Sequence, residues 1–361
     1  MPQGISIKDI DIITVRLNSD IVGKIALSTE GLAVFEYDKN WLVNGFSISP
    51  FFLPLQSGVF TARQNPFNGG FGVFADSLPD GWGNLLLDRL LKKNKIDPNS
   101  LNLLQRLAIV GDNGMGALSY EPKFKIASSQ NTNDLIAIAS EVKKILAEES
   151  SDELEKLWLM AGSSAGARPK VMIKHNNEHW LVKFPSSADP KNIGEIEYQY
   201  SLLAKKAGVD MPETKLFEGK FFGTKRFDRT NCHKIHIHSA AGMLNADFRL
   251  PSLDYTELIK ATRAITRDEK EVEKMFRLMV FNVLIGNKDD HAKNFSFIYT
   301  NNQWKCSPAY DILPSKGING EHTTSVAGSG KPVKNDILEV AKQTSFSENK
   351  AGEIFEEVFG V

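Results

Sequence analysis

The feature that most restricts the fold is an apolar helix that leads straight into a cluster of polar side chains. Residues 269–286 (EKEVEKMFRLMVFNVLIG) begin amphipathic and become apolar on every side, which predicts a helix with a buried C-terminal end. The polar side chains that follow are Asp289, Asp290, His291 and Asn294. Carboxylates in a protein interior repel one another unless cations or donors compensate them. We therefore expect a charged site in the segment that follows this helix.

The oxygen atoms of this cluster suit a divalent cation bound beside phosphates. Asn294, together with Asp311 beyond a predicted hairpin (FSFIY, TNN, QWKC), supplies the kind of ligand that Mg²⁺ takes. Asp289 would then accept the proton of an attacking hydroxyl. Asp and Asn also populate ordinary turns, so each residue taken alone has a purely structural alternative.

The other parts that phosphoryl transfer needs occur upstream. Residues 162–168 (GSSAGAR) form a glycine-rich loop that would lie over phosphates, and Lys183, in the strand WLVKF, would reach them. Glu197, in the helix after that strand, would pair with Lys183 and orient it, although Glu195 on another helix face competes for this role. The order of these parts along the chain is that of a protein-kinase-like core.

Local signals predict where the elements lie. Residues 11–37 have the spacing of an antiparallel meander, and a helix is predicted from about Trp82. The polar stretch 128–133 (SSQNTN) predicts a domain boundary. Further helix starts are predicted at Asn133, at Ser150 with Glu153 as a capping box, at Asp254 with Glu257, and at Thr266 with Glu269.

These elements predict an α+β class and a bilobal, protein-kinase-like fold with a β-rich accessory subdomain. The predicted divisions are an N-terminal β-rich subdomain over residues 1–127, a first lobe with the phosphate loop and lysine strand over 134–229, and a mainly helical second lobe over 230–361.

Composition excludes several classes of protein. The 361 residues are 42% hydrophobic and 24% charged, as in a soluble globular protein. The net charge of -1 gives no overall bias toward nucleic acid or membrane. The only cysteines, Cys232 and Cys306, form no CxxC pair and cannot supply a four-thiolate zinc site, and residues 232–238 (CHKIHIH) lack a second ligand cluster. Without a signal-peptide pattern or a long apolar run, we expect a cytoplasmic protein.

Several segments together resemble the HipA family of bacterial toxin kinases. SSAGARPK is similar to the phosphate loop of that family, WLVKFP to its lysine strand, and EIEYQYSLLAKKAGVDMP to its first lobe helix. KRFDR is similar to its hinge, IGNKDDHAKNFSF to its catalytic loop, and PAYD to the segment with its metal-binding aspartate.

The resemblance implies a serine/threonine protein kinase that uses ATP and Mg²⁺. It implies a cytosolic protein substrate of the aminoacyl-tRNA synthetase class, and a helix-turn-helix antitoxin through which DNA is contacted indirectly, with no membrane partner. It also implies inactivating autophosphorylation at Ser163 or Ser164. The ATP contacts that it implies are Ser164, Ala165, Gly166, Ala167, Lys183, Lys225, Phe227, His291 and Tyr310.

Some positions leave alternatives open. The family hinge usually begins with glutamate, and the Lys225 side chain cannot accept a hydrogen bond from adenine, although the backbone can. Asp290 would assist metal binding or reach solvent, and His291 would contact phosphate or the loop backbone. Two other functions remain: a kinase of small molecules or lipids, and a catalytically weak nucleotide-binding partner of a DNA-binding antitoxin.

Overall fold

A computed structural model describes residues 7–126, 134–163, 166–230 and 233–361. The chain divides into two compact units. The first unit comprises the chain up to residue 195 together with 215–236, and the second comprises 196–214 and 237–361. The three-part division expected from the sequence stays a prediction.

The strands are β1 Ile12–Leu17, β2 Asp20–Leu27, β3 Ala33–Tyr37, β4 Val59–Thr61, β5 Leu118–Glu121, β6 Lys170–His175, β7 Glu178–Lys183, β8 Thr214–Phe217, β9 Phe221–Lys225, β10 His236–Ser239, β11 Leu253–Asp254, β12 Ser296–Thr300, β13 Gln303–Cys306 and β14 Thr324–Ser325. The helices are α1 Lys39–Asn44, α2 Gly72–Ala75, α3 Gly81–Lys93, α4 Leu103–Val110, α5 Leu135–Leu146, α6 Leu154–Ala161, α7 Ile193–Lys206, α8 Ala240–Leu244, α9 Tyr255–Thr266, α10 Glu269–Ile285, α11 Lys334–Gln343 and α12 Glu348–Phe359.

The first unit contains the predicted meander as part of a five-stranded antiparallel sheet. Its strand order is β4-β3-β2-β1-β5. Along β1, Ile13 and Val15 are fully buried whereas Ile12 is exposed, because successive side chains of a strand point to opposite faces. The buried face shares one hydrophobic core with α3, which contributes Leu86 and Leu90.

A second sheet of the first unit, in the order β6-β7-β9-β8, carries the predicted lysine strand. A two-residue turn joins β6 to β7, with φ of 50° at Asn176 and 63° at Asn177. Positive φ at both positions is typical of a type I′ hairpin turn, which fixes the register of the strands. The turn places Lys170 opposite Lys183.

The second unit is built around α10. Val272, Met275, Phe276 and Met279 form its buried stripe at helical spacing, and Phe276 stacks on Phe346 with ring centroids 4.8 Å apart. Beside α10 lies a small sheet in the order β10-β12-β13, whose last two strands are the predicted hairpin.

Several predicted helix starts were wrong by a few residues. The cap of α5 is Asp134, whose carboxylate accepts the N–H groups of Ile136 and Ala137, and the predicted cap Asn133 lies outside the described residues. Asp268, and not Thr266, caps α10 in the same way. The Ser150–Glu153 box is absent from the start of α6. Instead, the Ser151 hydroxyl accepts the N–H of Glu153.

The predicted boundary at 128–133 lies outside the described residues. None of the helices in the described ranges combines the length and the apolar character that crossing a membrane requires.

Candidate active site

Gly286 turns the chain out of α10 and into the catalytic loop, residues 287–294. Its φ of 69° lies in the left-handed region, and its N–H reaches the carbonyls of Asn282 and Val283. The N–H of Asn287 also donates to the Asn282 carbonyl, at 2.9 Å. These bonds end the helix and keep the loop against its buried end.

The predicted proton acceptor and one predicted metal ligand lie together on this loop. The Asn294 Nδ2 donates to the Asp289 carbonyl at 2.7 Å. A 3₁₀ turn, Ala292–Asn294, brings the amide there, and the N–H of Asn294 bonds to the His291 carbonyl at 2.8 Å. Because the amide nitrogen is used in this contact, the amide oxygen is the atom that can bind a cation.

Asp311 returns to the catalytic loop after the β12–β13 hairpin. Its φ is 57°, and its carbonyl accepts a hydrogen bond from the Asn287 Nδ2 at 3.4 Å. On the other side, the Tyr310 hydroxyl donates to the Lys293 carbonyl at 2.8 Å. Two contacts therefore hold residues 310–311 against the loop.

Asn287 is a site residue that the sequence did not predict. Its side chain is buried and also donates to the Asn282 Oδ1, at 3.0 Å, so it joins the end of α10 to Asp311. The feature of the sequence that indicates this role is the position of Asn287 directly after the glycine that ends a buried helix. Such a side chain needs hydrogen-bond partners.

Asp290 is an anchor of the second unit, which corrects the expectation that it reaches metal or solvent. The side chain is completely buried. Its two oxygens receive four hydrogen bonds: from the Tyr255 hydroxyl and the His322 Nδ1, both at 2.9 Å, and from the N–H groups of Thr323 and Thr324, at 3.0 and 3.2 Å. Burial, with a further contribution from the Asp290 charge, raises the pKa of Tyr255 well above its usual value.

His291 and Tyr310 both make local structural contacts. The His291 Nδ1 accepts the N–H of Lys293 at 3.3 Å, so the backbone contact considered for this imidazole is present. The Tyr310 hydroxyl lies between the Lys293 carbonyl and the Ser296 hydroxyl. The ATP contacts of His291 and Tyr310 stay predictions.

In the first unit, two buried lysines stand side by side. Lys170 and Lys183 are 4% and 9% exposed and lie directly opposite each other on β6 and β7, so they share one face of the sheet. The Lys170 Nζ lies close to Gly166. A Cβ added at that glycine would stand 2.8 Å from this nitrogen. This arrangement places two ammonium-bearing side chains on the sheet face beside the predicted phosphate loop.

Lys170 is a second site residue that the sequence did not predict. Its signal is the hairpin register: a turn at Asn176–Asn177 pairs Lys170 on β6 with Lys183 on β7.

The predicted phosphate loop is described only in part. Ser163 is buried, and its Oγ accepts the N–H of Met115 at 2.8 Å. Gly166 has a φ of 89°, and Ala167 is exposed. The predicted contacts Ser164 and Ala165 lie outside the described residues.

The predicted hinge begins at the end of β9. The Lys225 ammonium pairs with Glu178, and the N–H of Arg226 donates to the His179 carbonyl at 2.8 Å. Phe227 is half-buried. The adenine contacts of Lys225 and Phe227 stay predictions.

Asp228, next in the hinge, is a buried charge held by two arginines. Its carboxylate lies 2.6 Å from guanidinium nitrogens of both Arg226 and Arg229 and accepts the N–H of Gly116 at 2.9 Å. Burial alone would raise the pKa of Asp228, but the two arginines and the Gly116 N–H outweigh it and lower that pKa. Burial lowers the pKa of Arg229 to about 10.

Glu197 lies on α7, in the part of the chain assigned to the second unit, whereas Lys183 belongs to the first unit. Glu197 is 3% exposed and Glu195 is exposed. This difference fits the argument that only one of the two glutamates faces inward. The pairing of Glu197 with Lys183 stays a prediction.

The histidines of the CHKIHIH segment do not gather around a common centre in the described part of the chain. The His236 Nε2 lies 2.9 Å from the Ile48 carbonyl, and the ring packs against Phe46. Cys232 lies outside the described residues. Within the described ranges, no group of three or more His, Cys, Asp or Glu side chains is placed to hold a metal ion.

The amide of Asn294 and the carboxylate of Asp311 nevertheless fit Mg²⁺ chemically. Both are hard oxygen donors, and a magnesium ion usually takes only one or two protein ligands and completes its shell with water and substrate phosphates. The contacts through Asn287 and Tyr310 keep the two ligand-bearing segments adjacent.

Two family models match the chain. The HipA N-terminal domain matches residues 13–121, and the HipA-like C-terminal domain matches residues 162–360. Together they cover the meander, the phosphate loop, the hinge and the catalytic loop.

Individual relatives carry kinase names. Y4dM of Sinorhizobium fredii, named as a kinase, is 31% identical over 166 residues, which are 41% of this chain and only 40% of that protein. The serine/threonine-protein kinase toxin HipA of Shewanella oneidensis is 21% identical over 342 residues, which are 82% of this chain and 74% of that protein.

A solved structure shares the fold. A chain in the complex of HipA, HipB and operator DNA from the Shewanella oneidensis MR-1 toxin–antitoxin system aligns with a TM-score of 0.72 at 17% identity, covering 96% of this chain and 88% of that chain. The predicted α+β, kinase-like fold class is thereby confirmed.

Proposed function

This chain belongs to the HipA family, and we propose that it is an ATP-dependent protein kinase that phosphorylates a serine or threonine hydroxyl. The observation that supports the proposal is that Asp289 and Asn294 lie on one loop of the second unit and that the backbone of Asp311 is hydrogen-bonded to the same loop. Kinase names among the relatives support it.

Each residue has one role in the proposed reaction. Asp289 accepts the proton of the attacking hydroxyl, and Asn294 and Asp311 hold magnesium. Bound Mg²⁺ neutralises charge on the β- and γ-phosphates. Lys183 and Lys170 bind phosphate oxygens of ATP, since two buried cations on one face of a sheet suit a polyanion. Glu197 orients Lys183.

The wider role that we propose is that of a cytoplasmic toxin restrained by a small helix-turn-helix antitoxin, with DNA contacted through that partner. The aligned structure contains HipA, HipB and operator DNA, which supports such a partner. By family resemblance, the substrate is an aminoacyl-tRNA synthetase. Inactivating autophosphorylation would fall on Ser163 or Ser164. Modification of Ser163 would first require its hydroxyl to leave the Met115 N–H.

The test is phosphate transfer by the purified chain from labelled ATP and Mg²⁺, alone and with a cytosolic extract. We expect label on a protein serine or threonine. Asp289→Asn should lower transfer by about two to four orders of magnitude while ATP binding persists, because the hydroxyl loses its acceptor. Asp152→Asn, at an exposed position, is the control. Label on a small molecule or lipid, or full transfer by Asp289→Asn, would contradict the proposal.

A further inference from the structure

Two hydrogen bonds run from the start of α3, in the N-terminal β-rich part of the first unit, to the phosphate loop and to the first residue of β6. The N–H of Trp82 donates to the Gly166 carbonyl at 3.1 Å, and its indole Nε1 donates to the Lys170 carbonyl at 3.1 Å. Trp82 is 1% exposed, so both donors act in a dry environment. They hold the end of the phosphate loop and the start of β6, at positions four residues apart.

Residues 113–116 bind the loop at its other end. The N–H of Met115 donates to the Ser163 Oγ at 2.8 Å, and the N–H of Ser163 lies 3.4 Å from the Asn113 carbonyl. The same segment is fastened to the hinge, because Arg229 donates to the carbonyls of Gly116 and Gly114 at 2.8 and 2.9 Å. One segment thus connects the phosphate loop to the hinge.

Close backbone approach accompanies both sets of bonds. A Cβ added at Gly81 would stand 2.5 Å from the Gly166 carbonyl oxygen and 2.6 Å from the Ala167 Cα. A Cβ added at Gly162 would stand 2.7 Å from the Asn113 carbonyl oxygen. Both glycines have positive φ, 38° and 54°. Any side chain at these positions would push the phosphate loop out of place.

We propose that Gly81, Trp82 and the 113–116 segment are positioning residues of the nucleotide site: they fix the two described ends of the phosphate loop, Ser163 and Gly166, where the loop binds ATP phosphates. This inference rests on the proposed ATP-dependent function. A glycine-rich loop pays a large conformational entropy cost when a ligand orders it. Contacts that order it beforehand remove that cost and strengthen binding. The β-rich N-terminal part is therefore a component of the ATP site.

The experiment compares full-length variants for affinity toward a non-hydrolysable ATP analogue with Mg²⁺, for the KM for ATP and kcat, and for melting without nucleotide. Gly81→Ala should weaken affinity and raise the KM by about tenfold or more, with a smaller change in kcat at saturating ATP. Gly31→Ala is the matched control, because that glycine also has positive φ, 79°, but no atom lies within 4 Å of an added Cβ. It should leave the affinity unchanged.

Trp82→Phe keeps the ring and the backbone donor but loses the indole bond to Lys170, so we expect a rise in the dissociation constant of about threefold. This variant provides the test if Gly81→Ala fails to fold. Unchanged affinity in a folded Gly81→Ala protein, or in Trp82→Phe where Gly81→Ala does not fold, would overturn the inference. If the unmodified chain binds no ATP analogue, the proposed function fails instead.

Discussion

The phosphate loop of the first unit and the catalytic loop of the second unit differ in how many of their own side chains anchor them. The phosphate loop is held by donors from distant segments, Trp82 and Met115, and by glycines at close backbone contact. The catalytic loop is held by its own buried side chains, Asn287 and Asp290. A loop that binds phosphates through its backbone N–H groups is rich in glycine and has few side chains that can anchor it. A loop that acts through its side chains can use neighbouring side chains as anchors.

The largest effect is expected from removing the anchor of the catalytic loop. Asp290→Ala leaves two buried side-chain donors and two backbone N–H groups without their acceptor. We expect the free energy of unfolding to fall by about 3–5 kcal/mol, as for other broken buried charge networks. Urea denaturation followed by circular dichroism measures it. The adjacent Asp289→Asn should change stability by less than about 1 kcal/mol. If the two variants were equally stable, the proposed difference between Asp290 as an anchor and Asp289 as a reacting group would be contradicted.

An intermediate effect is expected at the hinge, where the anchoring charge depends on pH. The folded-state pKa of Asp228 lies below its usual value of 3.8, so its carboxylate stabilises the protein above about pH 4 and loses this contribution as the pH falls. Asp228→Asn should lower the unfolding free energy by about 1–3 kcal/mol at neutral pH. The difference from the unmodified chain should shrink toward pH 2. If the unfolding free energies of the two proteins changed in parallel with pH, the stabilising role assigned to the Asp228 charge would be refuted.

The smallest effect is expected from Lys225. Its ammonium pairs with Glu178 where both side chains are more than a third exposed, and exposed ion pairs contribute little. Lys225→Ala should change the unfolding free energy by less than about 0.5 kcal/mol and leave ATP affinity within about twofold, if adenine is bound by the hinge backbone. Calorimetric titration measures the affinity. A loss of about tenfold or more would mean that the side chain itself contacts the nucleotide.

Local patterns predicted much of the fold and part of the candidate site. The meander that includes β1 and the apolar end of α10 each reflect hydrogen bonding or burial within one element, so the sequence alone predicted them. The hairpin that returns Asp311 to the catalytic loop was predicted for the same reason. Helix starts were less accurate, because neighbouring polar residues such as Thr266 and Asp268 compete for the same cap.

Partners far apart in the chain were beyond the reach of such patterns. Nothing local in the sequence indicates that residues 322–324 surround Asp290. Nor does it indicate that Trp82, at a predicted helix start, bonds to the phosphate loop and to β6. The order of motifs along this chain specifies its class of chemistry, because each motif is a short run of fixed composition. Which side chains react and which only support them depends on burial and distant donors, and those exist only once the chain is packed.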